Sequence, residues 1–207
     1  MHATAGSVLD TIPRGANVMI AGPPLTGKRQ LLYELLGGDT TDGTVFVSTR
    51  KRASTVEREY RQVAPGPALR VVDCVSGQFG ETHRTGHHRF VSDPGDLTGI
   101  GIRTSEFMRQ LQASCETVGL GVHTLSTMLM YSDLRRVYQF LHVLTGRVQS
   151  NDFRGGFVLE DVGDLRSNSV LRQPFDGLVE VRDGDEAREV RTRGLDIGPR
   201  AWTPLPQ

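Results

Sequence analysis

The chain has 207 residues and no net charge, because 24 basic side chains balance 24 acidic ones. This balance excludes a general electrostatic attraction to polyanions. No linker rich in Ser or Gly divides the sequence, so residues 1–207 are expected to form a single domain. No apolar run reaches the ~18 residues of a membrane-spanning helix and no signal peptide precedes the first strand, which predicts a cytoplasmic protein without membrane insertion.

The first predicted elements enclose a glycine-containing loop. A short, mostly apolar run at 16–21 is typical of a buried strand, and 30–36 has the pattern of a helix. Between them lies Gly-Pro-Pro-Leu-Thr-Gly-Lys at 22–28, the Walker A pattern, followed by Arg29 where that pattern requires Ser or Thr. The N–H groups of such a loop and of the helix N-terminus bind phosphates, and Lys28 would reach the β- and γ-phosphates. The missing hydroxyl is the one that holds Mg²⁺.

This arrangement predicts a site for ATP or ADP in which Mg²⁺ binding is doubtful. The predicted nucleotide-binding residues are Gly22, Pro23, Pro24, Leu25, Thr26, Gly27, Lys28, Arg29 and Gln30. The chain has only two lysines, Lys28 and Lys51, so a lysine at this position by chance is improbable. The alternative is an ordinary turn between a strand and a helix, in which glycine serves only the backbone geometry.

Strand and helix patterns alternate along the rest of the chain until a final hairpin. Strands are predicted at 44–49, 69–75, 120–126 and 157–160, and helices after a capping box that starts at Ser54, at 104–116 and at 132–149. Strands at 178–182 and 187–193 flank a turn that contains Asp183-Gly184. These repeated units predict an α/β fold with a mostly parallel twisted sheet, helices on both faces and a C-terminal antiparallel hairpin.

A long segment at 77–103 is predicted to be irregular and to border the ligand crevice at the sheet edge. It carries three histidines and two arginines: His83, His87, His88, Arg84 and Arg89. Contact with a phosphate or with a neighbouring subunit is open. Direct binding of nucleic acid is not expected, because the segment has too few aromatic residues for a base-stacking surface. The histidines are expected to be exposed and not to bind a metal, because no cysteines accompany them.

Several stretches resemble the RecA/KaiC-like family of P-loop ATPases. Residues 9–15 and the strand and loop that follow resemble the opening of that domain. Residues 47–49 resemble its second strand, 120–129 its Walker B strand and following helix, and 175–181 with Arg193-Gly194 its C-terminal hairpin. Residues 92–102 resemble a segment of small KaiC-type proteins of salt-loving archaea. The resemblance covers nearly the whole chain and implies a RecA-like P-loop fold.

The resemblance also implies which catalytic groups are replaced. Active members place acidic residues after the second strand to position the attacking water, where this chain has Arg50-Lys51. They end the fourth strand in an Asp that supports Mg²⁺, where this chain has His123. With Arg29 in the Walker A loop, all three groups that manage metal and water are changed. Phosphoryl transfer depends on metal-assisted charge stabilisation, so most of the rate should be lost.

The sequence therefore predicts a regulatory or signalling protein that binds nucleotide with little or no hydrolysis and acts through a protein partner or as a homo-oligomer. One alternative is an active ATPase with a rearranged or partner-completed site, for which Glu160 and Asp161 are weak candidates as the missing acid. Another is a scaffold that has lost nucleotide binding. Within the first reading, the Arg29 guanidinium either lies where Mg²⁺ normally sits or faces solvent.

Overall fold

The computed structural model describes residues 9–37, 41–79, 86–160 and 165–205. Its strands are β1 (Asn17–Gly22), β2 (Gly43–Ser48), β3 (Ala68–Asp73), β4 (His88–Phe90), β5 (Val118–His123), β6 (Arg154–Glu160), β7 (Gly177–Asp183), β8 (Arg188–Arg193) and β9 (Thr203–Pro204). Its helices are α1 (Lys28–Gly37), α2 (Ala53–Val63), α3 (Leu97–Gln112), α4 (Leu125–Tyr131), α5 (Leu134–Ser150) and α6 (Leu165–Arg172), with a short 3-10 helix at Ser76–Phe79. Among the described helices, none combines the length and the apolar character needed to cross a bilayer.

The strands of the described chain form one sheet in the order β4-β3-β2-β5-β6-β1-β7-β8-β9. The strands from β4 to β7 in this order pair in parallel, whereas β8 and β9 are antiparallel to their neighbours. The helices α1 and α2 pack on one face of the sheet, and α3 to α6 pack on the other, each group against its own hydrophobic core. The predicted α/β fold with a C-terminal hairpin is confirmed.

The central strands are buried along their whole length. Every residue of β1, β2 and β5 is buried, because helices cover both faces of the sheet at these strands. This burial explains the continuous apolar runs in the sequence, which a half-exposed strand would break by alternation. Parallel strands also end at the same edge of the sheet, so the residues that follow β1, β2, β5 and β6 meet there.

The capping box predicted at Ser54 is wrong. Helix α2 begins one residue earlier, at Ala53, and has no side-chain cap from the residue before it. The buried carboxylate of Asp73, at the end of β3, instead accepts the Ala53 N–H at 2.7 Å. The same carboxylate accepts the N–H groups of Val75 and Ser76 at 2.8 and 2.9 Å. A side chain distant in sequence thus accepts the first N–H of the helix, which a local sequence pattern does not show.

The described part of the segment 77–103 is more regular than predicted. It contains β4 and the first half of α3, which begins at Leu97 and not at 104. The glycines of this stretch have low helix propensity, but Asp96 caps the helix by accepting an N–H of the first turn at 2.8 Å. His83 and Arg84 lie outside the described residues.

Strand β5 is shorter than predicted and a helix follows it directly. The strand ends at His123, and Thr124 caps α4 by accepting the Thr127 N–H at 3.1 Å. Helix α6 and strand β9 were not predicted, because each is a short element with little periodicity.

Candidate functional site

The predicted phosphate-binding loop connects β1 to α1 at the carboxyl edge of the sheet. A Cβ on Gly22 would lie 2.1 Å from the carbonyl oxygen of Val181 on β7, so only glycine allows the two strands to pass at this distance. Gly27 has a φ of +72°, and Leu25 has a φ of +67° with a fully exposed side chain. The left-handed backbone conformations of these two residues turn the chain into a loop around the N-terminus of α1.

Lys28 closes the loop from the inside. Its side chain is buried, and its ammonium donates to the Pro23 carbonyl oxygen and, at 3.1 Å, to the Thr26 hydroxyl. The Thr26 hydroxyl itself donates to the Pro23 carbonyl at 2.9 Å. A buried ammonium costs free energy unless hydrogen-bond acceptors surround it. Oxygen atoms of the loop therefore accept the hydrogen bonds of the Lys28 ammonium. Phosphate oxygens are also hydrogen-bond acceptors and could take the same role.

Arg29 has a protein partner of its own. Its Nε lies 2.9 Å from Glu59 Oε2 on α2, and both side chains are about a quarter exposed. The pair borders Tyr33, whose pKa is raised chiefly by burial. The geometry does not support the reading in which the guanidinium takes the place of Mg²⁺, because the guanidinium would first have to leave Glu59. Gln30, the next predicted site residue, contacts Glu34 one helical turn along at 3.2 Å.

The ends of three adjacent strands form the neighbouring part of the site. Arg50 follows β2, His123 ends β5 and Glu160 ends β6. Arg50 Nη1 lies 2.7 Å from Glu160 Oε1, so this ion pair spans the end of β5. The Ser126 hydroxyl fixes the backbone of Glu160, accepting its N–H at 2.8 Å. Asp161 lies outside the described residues.

His123 is uncharged at the edge of this site. Only 6% of its surface is exposed, and within the described residues its Nδ1 has no hydrogen-bond partner. Burial is the main cause that lowers the pKa of His123 to about 3, and the positive charges of Arg29, Arg50 and Lys28 contribute in the same direction. The position that the resemblance assigns to a metal-supporting carboxylate thus holds a neutral imidazole.

Arg188 joins the loop from the C-terminal hairpin. Its Nη1 donates to the Thr26 carbonyl at 3.4 Å, and a Cβ on Gly27 would lie 1.7 Å from that nitrogen. Burial raises the pKa of Glu34 on α1, and the charge of Arg188 partly opposes that shift. The sequence analysis missed Arg188, and the signal that could have found it is topological: β7 lies beside β1, which brings β8 to the loop.

The structure brings together Lys28, Arg29, Arg50 and Arg188 around the loop, of which Arg29 and Arg50 are paired with carboxylates. An arrangement with cations and N–H groups at a helix N-terminus can bind an anion. Within the described residues, the only carboxylate at the ends of β2, β5 and β6 is Glu160, and an arginine holds it.

The comparisons with known proteins agree with this architecture. A KaiC-like protein from the hyperthermophilic archaeon Pyrococcus horikoshii has a crystal structure with a TM-score of 0.60 and 15% sequence identity, covering 98% of this chain and 92% of its own. At this identity the likeness establishes the fold alone. A comparison with the curated proteins finds no match. The model of DUF7504, a family of unknown function, matches residues 15–181, from two residues before β1 to the inner strand of the hairpin, and the chain belongs to this family.

Proposed function

We propose that this protein binds ATP or ADP with little or no hydrolysis and serves as a regulatory or signalling module, acting through contacts with a protein partner or with further copies of itself. The observation that carries the proposal is the buried ammonium of Lys28 inside a loop closed by Gly22 and Gly27. The KaiC-like fold supports a nucleotide-binding family.

The support for binding lies in the loop and its positive charges. The Lys28 ammonium already bonds to oxygen atoms of the loop, and in the proposed complex it exchanges the Pro23 oxygen for a phosphate oxygen. Arg188 contributes a second cation, which bonds only weakly to a neutral carbonyl at 3.4 Å. Two cations and the helix N-terminus supply the positive potential that Mg²⁺ provides in a metal-dependent site.

The support for slow hydrolysis lies in the neighbouring strand ends. Phosphoryl transfer requires a metal ion, a group that positions water and stabilisation of the developing charge. Arg29 stands where a hydroxyl would bind the metal, and a neutral His123 stands where a carboxylate would support it. Glu160 accepts from Arg50 at 2.7 Å, so its Oε1 is already occupied by a guanidinium and is not free to position water.

The direct test is calorimetric titration with ATP and ADP, each with and without Mg²⁺. We expect binding that Mg²⁺ changes little, and Lys28→Ala should weaken it about 10- to 150-fold, the equivalent of the ~1.5–3 kcal/mol of a charged hydrogen bond. Lys51→Ala is the matched control, because it removes the only other lysine and Lys51 uses backbone groups in its bonds to Ser48.

The outcomes separate the three readings. Absence of binding at millimolar nucleotide would replace the proposal with a scaffold that has lost its ligand. A phosphate release that requires Mg²⁺ and disappears in Lys28→Ala would show an active ATPase, and Glu160→Gln would then test Glu160 as its acid. Binding without turnover, lost in Lys28→Ala and kept in Lys51→Ala, is the result that the proposal predicts.

A further inference from the structure

Helices α3 and α5 leave an open groove on the face of the sheet opposite α1. The two helices run side by side in the same direction: Arg147 on α5 reaches the hydroxyl of Ser105 on α3, and Gln112 Nε2 near the end of α3 lies 3.3 Å from Asn151 Oδ1. Between them is a groove of about 560 Å³. With 16 residues, α3 is about 24 Å long at ~1.5 Å per residue. The groove beside it is therefore long enough to accommodate several turns of another helix.

The floor of the groove is apolar and partly open to solvent. Leu97, Phe140 and Leu144 line it. Ile102 and Val143 stand at its two sides with 52% and 55% of their surfaces exposed. Single exposed apolar residues are ordinary, but two that face one groove above an apolar floor mark a surface that gains free energy when covered.

The rim of the groove is positively charged. Arg109, Arg136 and Arg147 line it, and none of the other described residues that line it is acidic. Within the described residues, these three arginines have no carboxylate partner: Arg109 and Arg147 bond to neutral groups of α3. Arginine favours carboxylates because its planar guanidinium bonds to both carboxylate oxygens at once. The rim therefore selects for an acidic ligand, while the floor selects for an apolar one.

We propose that the α3–α5 groove docks an amphipathic helix of a partner protein whose apolar stripe is flanked by Asp and Glu. The recessed floor between two helical ridges fits a rod with a narrow apolar stripe, which is the geometry of helix-in-groove recognition. A flat membrane surface would touch the rim without reaching the floor. The proposal does not depend on nucleotide binding, since the groove lies on the opposite face of the sheet from α1, the helix that carries Lys28.

The test uses a synthetic helical peptide of about 14 residues, ~21 Å long, with Leu at helical spacing and Glu on both flanks. Its controls are a peptide with Lys in place of Glu and a scrambled peptide of the same composition. Fluorescence anisotropy should show binding of the acidic peptide alone, and methyl NMR should show shifts at Ile102 and Val143. Arg136→Glu should weaken this binding at least tenfold and favour the Lys peptide.

Arg135→Glu is the matched variant, because Arg135 is exposed on the same helix outside the groove. It should leave binding within about twofold. Equal binding of the three peptides, no binding of the acidic one, or binding without methyl shifts at Ile102 and Val143 would each overturn the proposal. Binding of vesicles containing anionic lipid that perturbs those methyls would assign the surface to membranes, and a self-association that shields them would assign it to a second copy; either result also overturns it.

Discussion

His123 makes the stability of this protein depend on pH in a direction that can be calculated. Its pKa falls from 6.5 in the unfolded chain to about 3 in the fold, chiefly because the imidazole is buried. Between these two pKa values, His123 is protonated in the unfolded chain and neutral in the folded protein, so the free energy of unfolding rises with pH. The contribution of a neutral His123 is fully present above pH 6.5 and is lost as the pH falls from 6.5 towards the folded value.

The size of the effect follows from the two pKa values. Between pH 8 and pH 5 the proton uptake of the unfolded chain lowers the free energy of unfolding by about 2 kcal/mol. Replacement by a residue that does not titrate, His123→Asn, should remove this loss and leave the rest of the pH dependence unchanged. The quantity to compare is thus the pH-dependent change in the wild type minus that in the variant.

Urea unfolding at pH 8 and pH 5, followed by circular dichroism, measures both changes. The wild type should lose ~2 kcal/mol more than His123→Asn over this range. Proton NMR of the folded wild type should show a His123 imidazole that does not titrate between these pH values. Equal losses in the two proteins, or a His123 signal that titrates near its ordinary value, would refute the assignment of a neutral, buried imidazole at the site.

Two further predictions concern the arginines at the loop. Arg188→Ala should weaken ATP binding about tenfold, which corresponds to the ~1.5 kcal/mol of one charged hydrogen bond. Arg193→Ala should not change the affinity, because Arg193 lies on the same strand but is paired with Glu180. Equal calorimetric affinities of the two variants would contradict a phosphate-facing role of Arg188. Arg29→Ser should leave metal-free ATP affinity within about twofold, because Glu59 already holds the guanidinium, and a large loss measured without Mg²⁺ would show that Arg29 reaches the phosphates.

The sequence predicted the sheet because its central strands carry strong local signals. The apolar runs of β1 and β2 are unbroken, and glycine or polar residues bound them on each side. The start of α3 gave the opposite signal, since Gly99 and Gly101 disfavour a helix. Tertiary packing overrides that preference: Ile100 between them is fully buried in the core.

In the candidate site too, the sequence predicted what depends on neighbouring residues and missed what depends on tertiary contacts. The loop is continuous in sequence, so its glycines and Lys28 could be read as one motif. The partners of its charged residues are distant in sequence: Glu59 lies on the next helix, and Arg188 arrives on a strand at the end of the chain. The sequence placed Arg50 and Glu160 at strand ends but could not pair them, because that pairing requires β5 to lie between β2 and β6.

The bonds that Lys28 makes to Pro23 and Thr26 have a consequence for the kinetics of binding. A loop whose own oxygens satisfy its lysine keeps its shape when it is empty, so the entropy of ordering it is lost during folding and not on encounter with a ligand. Nucleotide association should then be fast and need no slow rearrangement of the loop. The same internal bonds would compete with the phosphate of the proposed ligand for the ammonium, so release should be rapid as well.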